Sequence, residues 1–233
     1  MPAIATGIPK LDEILKGGIP EHSLVILGGM PGAGKTILSL QILFNKARED
    51  WKVLFFTTTY QPTNKLVEYN KQFSFFDEAK LNKSVLLVDL GALIKNHPLP
   101  DVLTEIVKHV QNNGVKLMVI DSFKPISDIA GSRFEMWRFC NELAAQLDEY
   151  HCAGILVGEY LLPEDLTLPE FAVADGIINL EIQRTDYAVS RAVRVYKMRG
   201  VNFQEGLHTY GIGGDGIRMM LPAPVVAAGR PEI

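Results

Sequence analysis

Residues 29 to 36 read GMPGAGKT, which places three glycines, a lysine and a hydroxyl at the spacing G-x-x-x-x-G-K-[ST]. A polyphosphate must be approached by bare backbone, and glycine supplies it. Gly29, Gly32 and Gly34 can adopt angles closed to residues with a Cβ, so the amides of residues 32 to 36 can turn inward as an anion nest. Lys35 is then placed to reach the β- and γ-phosphates, and the Thr36 hydroxyl to ligate Mg²⁺. The candidate ATP contacts are Gly29, Met30, Pro31, Gly32, Ala33, Gly34, Lys35, Thr36 and Ile37. A second element follows downstream, where the apolar residues Leu117 to Ile120 lead into Asp121. An aspartate at the C-terminal end of a strand beside a phosphate loop can hold Mg²⁺ directly or through water. Thr36 and Asp121 are therefore the candidate metal ligands.

These groups need elements to hold them. The apolar run Leu24 to Leu27 reads as a short buried strand, and Thr36 opens an amphipathic helix with Ile37, Leu40, Ile42, Leu43 and Phe44. Further strands are expected at 53–58, 84–90, 117–122 and 153–159. Helices are expected over NKLVEYNKQFSFF, over 100–114 and over 133–150, the last with Phe134, Trp137, Cys140, Leu143 and Leu147 as its apolar face. Alternating strands and helices imply a mostly parallel sheet covered on both faces. From about residue 174 strands follow one another with short turns, which predicts an antiparallel C-terminal extension of the same sheet. Residues 1–22 read as a lead-in segment whose short helix carries Leu11, Ile14 and Leu15, and residues 222–233 as a loose tail. The whole of 1–233 reads as one α/β domain.

Composition narrows the class. A chain of 233 residues with 47% hydrophobic content can bury one full core. Its apolar runs are too short to cross a bilayer, and the N-terminus lacks a basic start and apolar core, so a cytoplasmic protein is expected. Cys140 and Cys152 have no partner at metal spacing and read as reduced core residues, and the five histidines form no ligand pattern. With a net charge of -4 and a pI of about 5.8, the chain as a whole does not read as a polyanion binder.

Three stretches together carry a family resemblance. TGIPKLDEILKGGIPEHSLVILGGMPGAGKT at 6–36, VIDS at 119–122 and VYKMRG at 195–200 resemble the KaiC/RadA branch of the RecA-type P-loop ATPases, as a single KaiC-like domain. The resemblance implies a RecA-like fold and homo-hexameric rings with ATP held between subunits. It also implies that Lys197 and Arg199 reach the γ-phosphate of the neighbouring subunit, a charge supplied in trans that can be worth about 10³ to 10⁵ in rate. Alternation along a strand would put both cations on one face and Met198 on the other.

One part of the family pattern is missing. Active relatives carry two glutamates before a proline after the second strand, and the first of them activates water. Here Thr59 and Tyr60 stand in those places. A threonine hydroxyl takes no proton near neutral pH, and tyrosine's reference pKa is about 10. Gln61 and Glu159 are the remaining candidates for handling water. Three readings follow: a slow or conditional ATPase acting as a ring-forming regulatory protein, with possible protein partners; a non-hydrolysing ATP-gated scaffold; or a DNA-binding recombination accessory protein. Against the last, the segment after Glu159 that would face a ring channel carries Glu164, Asp165 and Glu170 and no lysine or arginine, while SFKPISDIAGSR offers Lys124 and Arg133 against Asp128.

Overall fold

The computed structural model describes residues 2–58, 63–184 and 189–220. The chain opens with β1 (Ala3–Ile4), α1 (Pro9–Ile14) and β2 (Ile19–Pro20), then β3 (Leu24–Gly29) and α2 (Lys35–Arg48). There follow β4 (Val53–Thr57), α3 (Thr63–Asn70), β5 (Val85–Asp89), α4 (Gly91–Asn96), α5 (Leu99–Asn113) and β6 (Leu117–Asp121). Next come α6 (Lys124–Asp128), α7 (Arg133–Glu149), β7 (Ala153–Val157), α8 (Pro169–Val173) and β8 (Gly176–Arg184). The last elements are β9 (Val189–Met198), β10 (His208–Gly213) and β11 (Gly216–Met219).

Among the described residues one nine-stranded sheet runs in the order β11-β10-β9-β8-β3-β7-β6-β4-β5. From β8 to β5 the neighbours are parallel, and from β9 to β11 they are antiparallel. Strands β3, β4, β6 and β7 are buried on both sides because strict alternation feeds two cores. In β3, Leu24 and Ile26 enter the core under α5 and α7, while Val25 and Leu27 enter the core under α1 and α2. This matches the mostly parallel sheet with helices on both faces expected from the strand–helix alternation. The antiparallel extension begins one strand later than expected, since β8 joins β3 in parallel after the short crossover through α8.

Other differences have local causes. The helix expected over 64–76 ends at Asn70, because Phe75 and Phe76 turn back to pack on Phe44, with ring centroids 6.2 and 4.4 Å away. The apolar face of α7 is rotated from the expected one. Met136, Phe139, Cys140, Leu143 and Leu147 are buried, whereas Phe134 and Trp137 are 65% and 44% exposed and stack on each other at 5.9 Å. The i, i+3, i+4, i+7 stripe anchored on Met136 excludes Phe134. In the lead-in segment β1 pairs with β2, and Gly18 lies so close to Ile4 that an added Cβ would stand 2.0 Å from its carbonyl oxygen. Cys140 and Cys152 are free and buried, as expected.

Candidate functional site

Three parallel strands end at one edge and deliver the chemistry there. β3 runs into the glycine loop, β7 is followed by Glu159 and β6 ends in Asp121. Gly29 has a φ of +139°, and a Cβ on it would lie 2.3 Å from the Leu180 carbonyl, so only glycine lets β8 close against the loop. At Gly32, φ is +79° and nothing lies within 4 Å of a built Cβ; there backbone angle rather than crowding selects glycine. Gly34, in the left-handed region, caps α2 and leaves the first amides of that helix, beginning at Lys35, directed at the loop.

Within this cradle the Lys35 ammonium donates to the carbonyls of Gly29 at 2.8 Å and Met30 at 3.1 Å. Burial lowers its pKa, opposed by the charges of Glu159 and Asp121. The Thr36 hydroxyl donates to Asp121 Oδ2 at 2.6 Å, across the width of β7. Burial raises the Asp121 pKa, opposed by that hydrogen bond and by Lys35. The peptide bond joining Asp121 to Ser122 is cis. A half-buried cation beside an open loop of amides fits a phosphate chain, and a hydroxyl paired with a carboxylate offers the hard oxygen donors Mg²⁺ prefers. Bound there, Mg·ATP would supply an activated phosphoanhydride with its charge partly neutralised. The loop amides and Lys35 would hold the phosphates, and Thr36 and Asp121 the metal.

Of the other sequence candidates, Glu159 is exposed and lies two residues past β7 rather than at its end, close enough to act electrostatically on Lys35. Thr59, Tyr60 and Gln61 lie outside the described residues. The residue before them is fixed, since the Thr58 hydroxyl donates to the Ser122 carbonyl at 2.6 Å and accepts from its amide at 3.1 Å. Lys197 and Arg199 are not brought to this site. Strand register puts Gly28 beside Asn179 at the loop end of β8, and Met198 beside Gly176 at the far end. Three residue steps of β3, from Val25 to Gly28, separate these ends, about 10 Å at strand rise. Arg199 also lies beyond β9, so strand alternation does not govern it; a bulge between Ile177 and Ile178 further shifts the register there. Both cations instead fold back on the segment after α8, Lys197 onto the Ala174 carbonyl and Arg199 onto Asp175.

Several further residues at the loop carry no signal in the sequence. The Tyr210 hydroxyl of β10 donates to the Ala33 carbonyl from below, and burial raises its pKa to about 12. Asn179 is buried with its Oδ1 unpartnered against Gly28. Tyr160 packs beside Gly28 and Gly158 and donates to Glu170 at 3.0 Å. Glu170 is therefore wholly buried and does not face a channel, contrary to the expectation from its neighbours in sequence. Lys124 sits over the Tyr160 ring at 5.8 Å, and Arg133 donates to the Thr167 carbonyl. No local pattern announces these contacts, which join residues far apart in the chain or depend on which way a side chain turns.

Comparison with known proteins gives a consistent result. A family model described as "ATPase: KaiC" matches residues 4–223. A UPF0273 protein of Methanopyrus kandleri is 32% identical over 99% of this chain and 96% of its own length. Another from Aeropyrum pernix is 30% identical over 97% and 96%. The circadian clock oscillator protein KaiC of a Picosynechococcus is 24% identical over 93% of this chain and 44% of its own. Among solved structures, a KaiC-like protein of Pyrococcus horikoshii superposes with a TM-score of 0.81 at 26% identity, covering 94% of this chain and 99% of that one. No helix among the described residues is long and apolar enough to cross a membrane.

Proposed function

The chain belongs to the KaiC ATPase family, and from that premise we propose that it binds Mg·ATP at Gly29–Ile37 and shares the nucleotide between subunits of a homo-oligomeric ring. In this reading it is a slow or conditional ATPase with a regulatory role. The observation that carries it is the placement of Lys197 and Arg199 at the end of the sheet opposite their own glycine loop. A cation that acts on phosphate from there must act on the phosphate of another copy.

Repeating that contact head to tail joins the loop end of one subunit to the far end of the next. Such a heterologous interface generates rings when its rotation closes. Within the subunit, the loop amides and Lys35 neutralise the phosphates, Thr36 and Asp121 position the metal, and Glu159, whose charge reaches Lys35, is the described candidate for accepting a proton from an attacking water. The exposure of Glu159 supports only slow turnover, since a carboxylate left in solvent is not held against an attacking water.

The test is phosphate release from Mg·ATP across a range of protein concentrations. Specific activity is expected to rise with concentration, and Arg199→Ala to reduce it by about 10³-fold while leaving assembly measurable. Concentration-independent turnover would remove the shared site. No turnover, combined with tight binding and ATP-dependent growth in mass, would instead establish the ATP-gated scaffold. Binding of single-stranded DNA that weakens with salt would favour the recombination reading, for which Lys124, over the Tyr160 ring, and Arg133, on the Thr167 carbonyl, offer no support.

A further inference from the structure

Two long cations that must reach across a subunit boundary have to be held in one orientation beforehand, because a freely rotating lysine or arginine loses much rotamer entropy on docking. The chain contains a bracket that does this. Lys197 Nζ donates to the Ala174 carbonyl at 2.5 Å. Arg199 donates from Nη1 to Asp175 Oδ1 at 3.0 Å, and from Nη2 to the Ala172 carbonyl at a longer 3.5 Å. The bracket is itself anchored. The second carboxylate oxygen of Asp175 accepts the Leu24 amide at 3.0 Å, the Asp175 amide donates to the Leu24 carbonyl at 2.7 Å, and the Arg199 amide donates to the Asp175 carbonyl at 2.8 Å.

Asp175 thus holds the first residue of β3 with one oxygen and the Arg199 guanidinium with the other. The Arg199 side chain stays 56% exposed, so one edge of the guanidinium is engaged and its remaining donors face outward. The large groove beside it, lined by Pro20, His22, Asn141, Ala144 and Asp148 among others, leaves that face open. A neutral strand cap would need only the bond to Leu24. The second oxygen serves the arginine.

We propose that Asp175 is a positioning residue for nucleotide binding in the adjacent subunit: it orients Arg199, and through the Ala172–Asp175 segment Lys197, toward the phosphates of a neighbour's ATP. The proposal rests on the shared-site reading above. Asp175 touches no phosphate, and its effect appears at a glycine loop in a different chain.

Mixed assemblies test this with full-length protein and Mg·ATP, reading ATP affinity so that the outcome does not depend on turnover. Lys35→Ala subunits bind no ATP of their own but carry an intact bracket. Asp175→Asn keeps an acceptor for Leu24 and loses the charge that holds Arg199. Alone, Asp175→Asn and Arg199→Ala are each expected to bind ATP about tenfold or more weaker than the parent. Excess Lys35→Ala subunits are expected to restore both. In an Arg199→Ala background, Asp175→Asn should add nothing. If Arg199→Ala binds ATP like the parent or is not restored by mixing, the shared-site reading itself fails. If Arg199→Ala is restored and Asp175→Asn is not, or if Asp175→Asn binds normally, Asp175 is only the cap of β3 and the inference is overturned. Should Asp175→Asn not fold, Asp175→Glu, which keeps the charge but displaces it, is mixed and read in the same way.

Discussion

At Asp121 the demands of binding and of folding pull in opposite directions. Its pKa is raised by burial, so the folded chain keeps the proton longer than the unfolded chain does. Stability therefore falls as pH climbs from the ordinary carboxylate value of 3.8 through the raised one, and the ionised group is a liability at neutral pH. Lys35 has the mirror-image problem, since its lowered pKa means that charging it in place costs stability below that value. On the proposed reading, Mg·ATP would relieve both. At a nucleotide concentration a hundredfold above Kd, binding contributes about 2.7 kcal/mol, which for a chain of this size raises Tm by about 5 to 11 °C. Asp121→Asn should melt higher than the parent near pH 7 without nucleotide and lose most of the Mg²⁺-dependent part of that rise. A variant that melts lower, yet keeps the Mg²⁺ response, would mean that Asp121 is not the metal ligand. These two residues were legible in sequence because their chemistry is written in contiguous motifs. Asp175 was not, because its partners Leu24 and Arg199 lie 151 and 24 residues away.

Among the elements, the hairpin of β10 and β11 is fastened to the nucleotide helix by one side chain. Gln41 of α2, 7% exposed, accepts the Ile217 amide at 2.8 Å and donates to the carbonyls of Ile217 and Asp215 at 3.2 and 3.3 Å. Gln41→Leu keeps the volume and leaves those buried backbone groups without partners, a cost of about 1–3 kcal/mol. Faster amide exchange confined to Gly211–Met219 is the expected signature, with the parallel strands unaffected; equal acceleration across the sheet would show that the hairpin is no separate unit. The parallel strands themselves were readable because their apolar runs are short, β-branched and bounded by turns. The faces of helices were harder. In α7, Phe134 and Trp137 are as apolar as Phe139 and share its helix, and only the position of the sheet decides that Phe139 goes in while the other two stay in solvent. Helix α3 was overextended for a related reason, since the aromatic residues after Asn70 fit a helical pattern but are claimed by Phe44.

For the whole molecule, the placement of Lys197 away from its own loop depends on β9 running antiparallel to β8, a fact that no single stretch of sequence contains. The family resemblance implies action in trans, and the strand register is consistent with it. The same sheet order bears on how the protein is made. Strand β3 and its loop are synthesised early, yet the partner on one side of β3 is β8, and Tyr210 and Ile217 reach Ala33 and Gln41 from strands later still. Gly176 follows Thr36 by about 140 residues, a delay on the order of ten seconds at ordinary rates of translation. A chain still on the ribosome thus carries an unfinished cradle, and on the proposed reading only a completed subunit would be sealed by nucleotide and admitted to an assembly. A chain cut after Arg184 should show no Mg·ATP-dependent rise in Tm; parental affinity in that fragment would sink the idea. With the oldest strand of the site beside one made about 140 residues later, a nucleotide bound as proposed would act as a proofreader of finished synthesis.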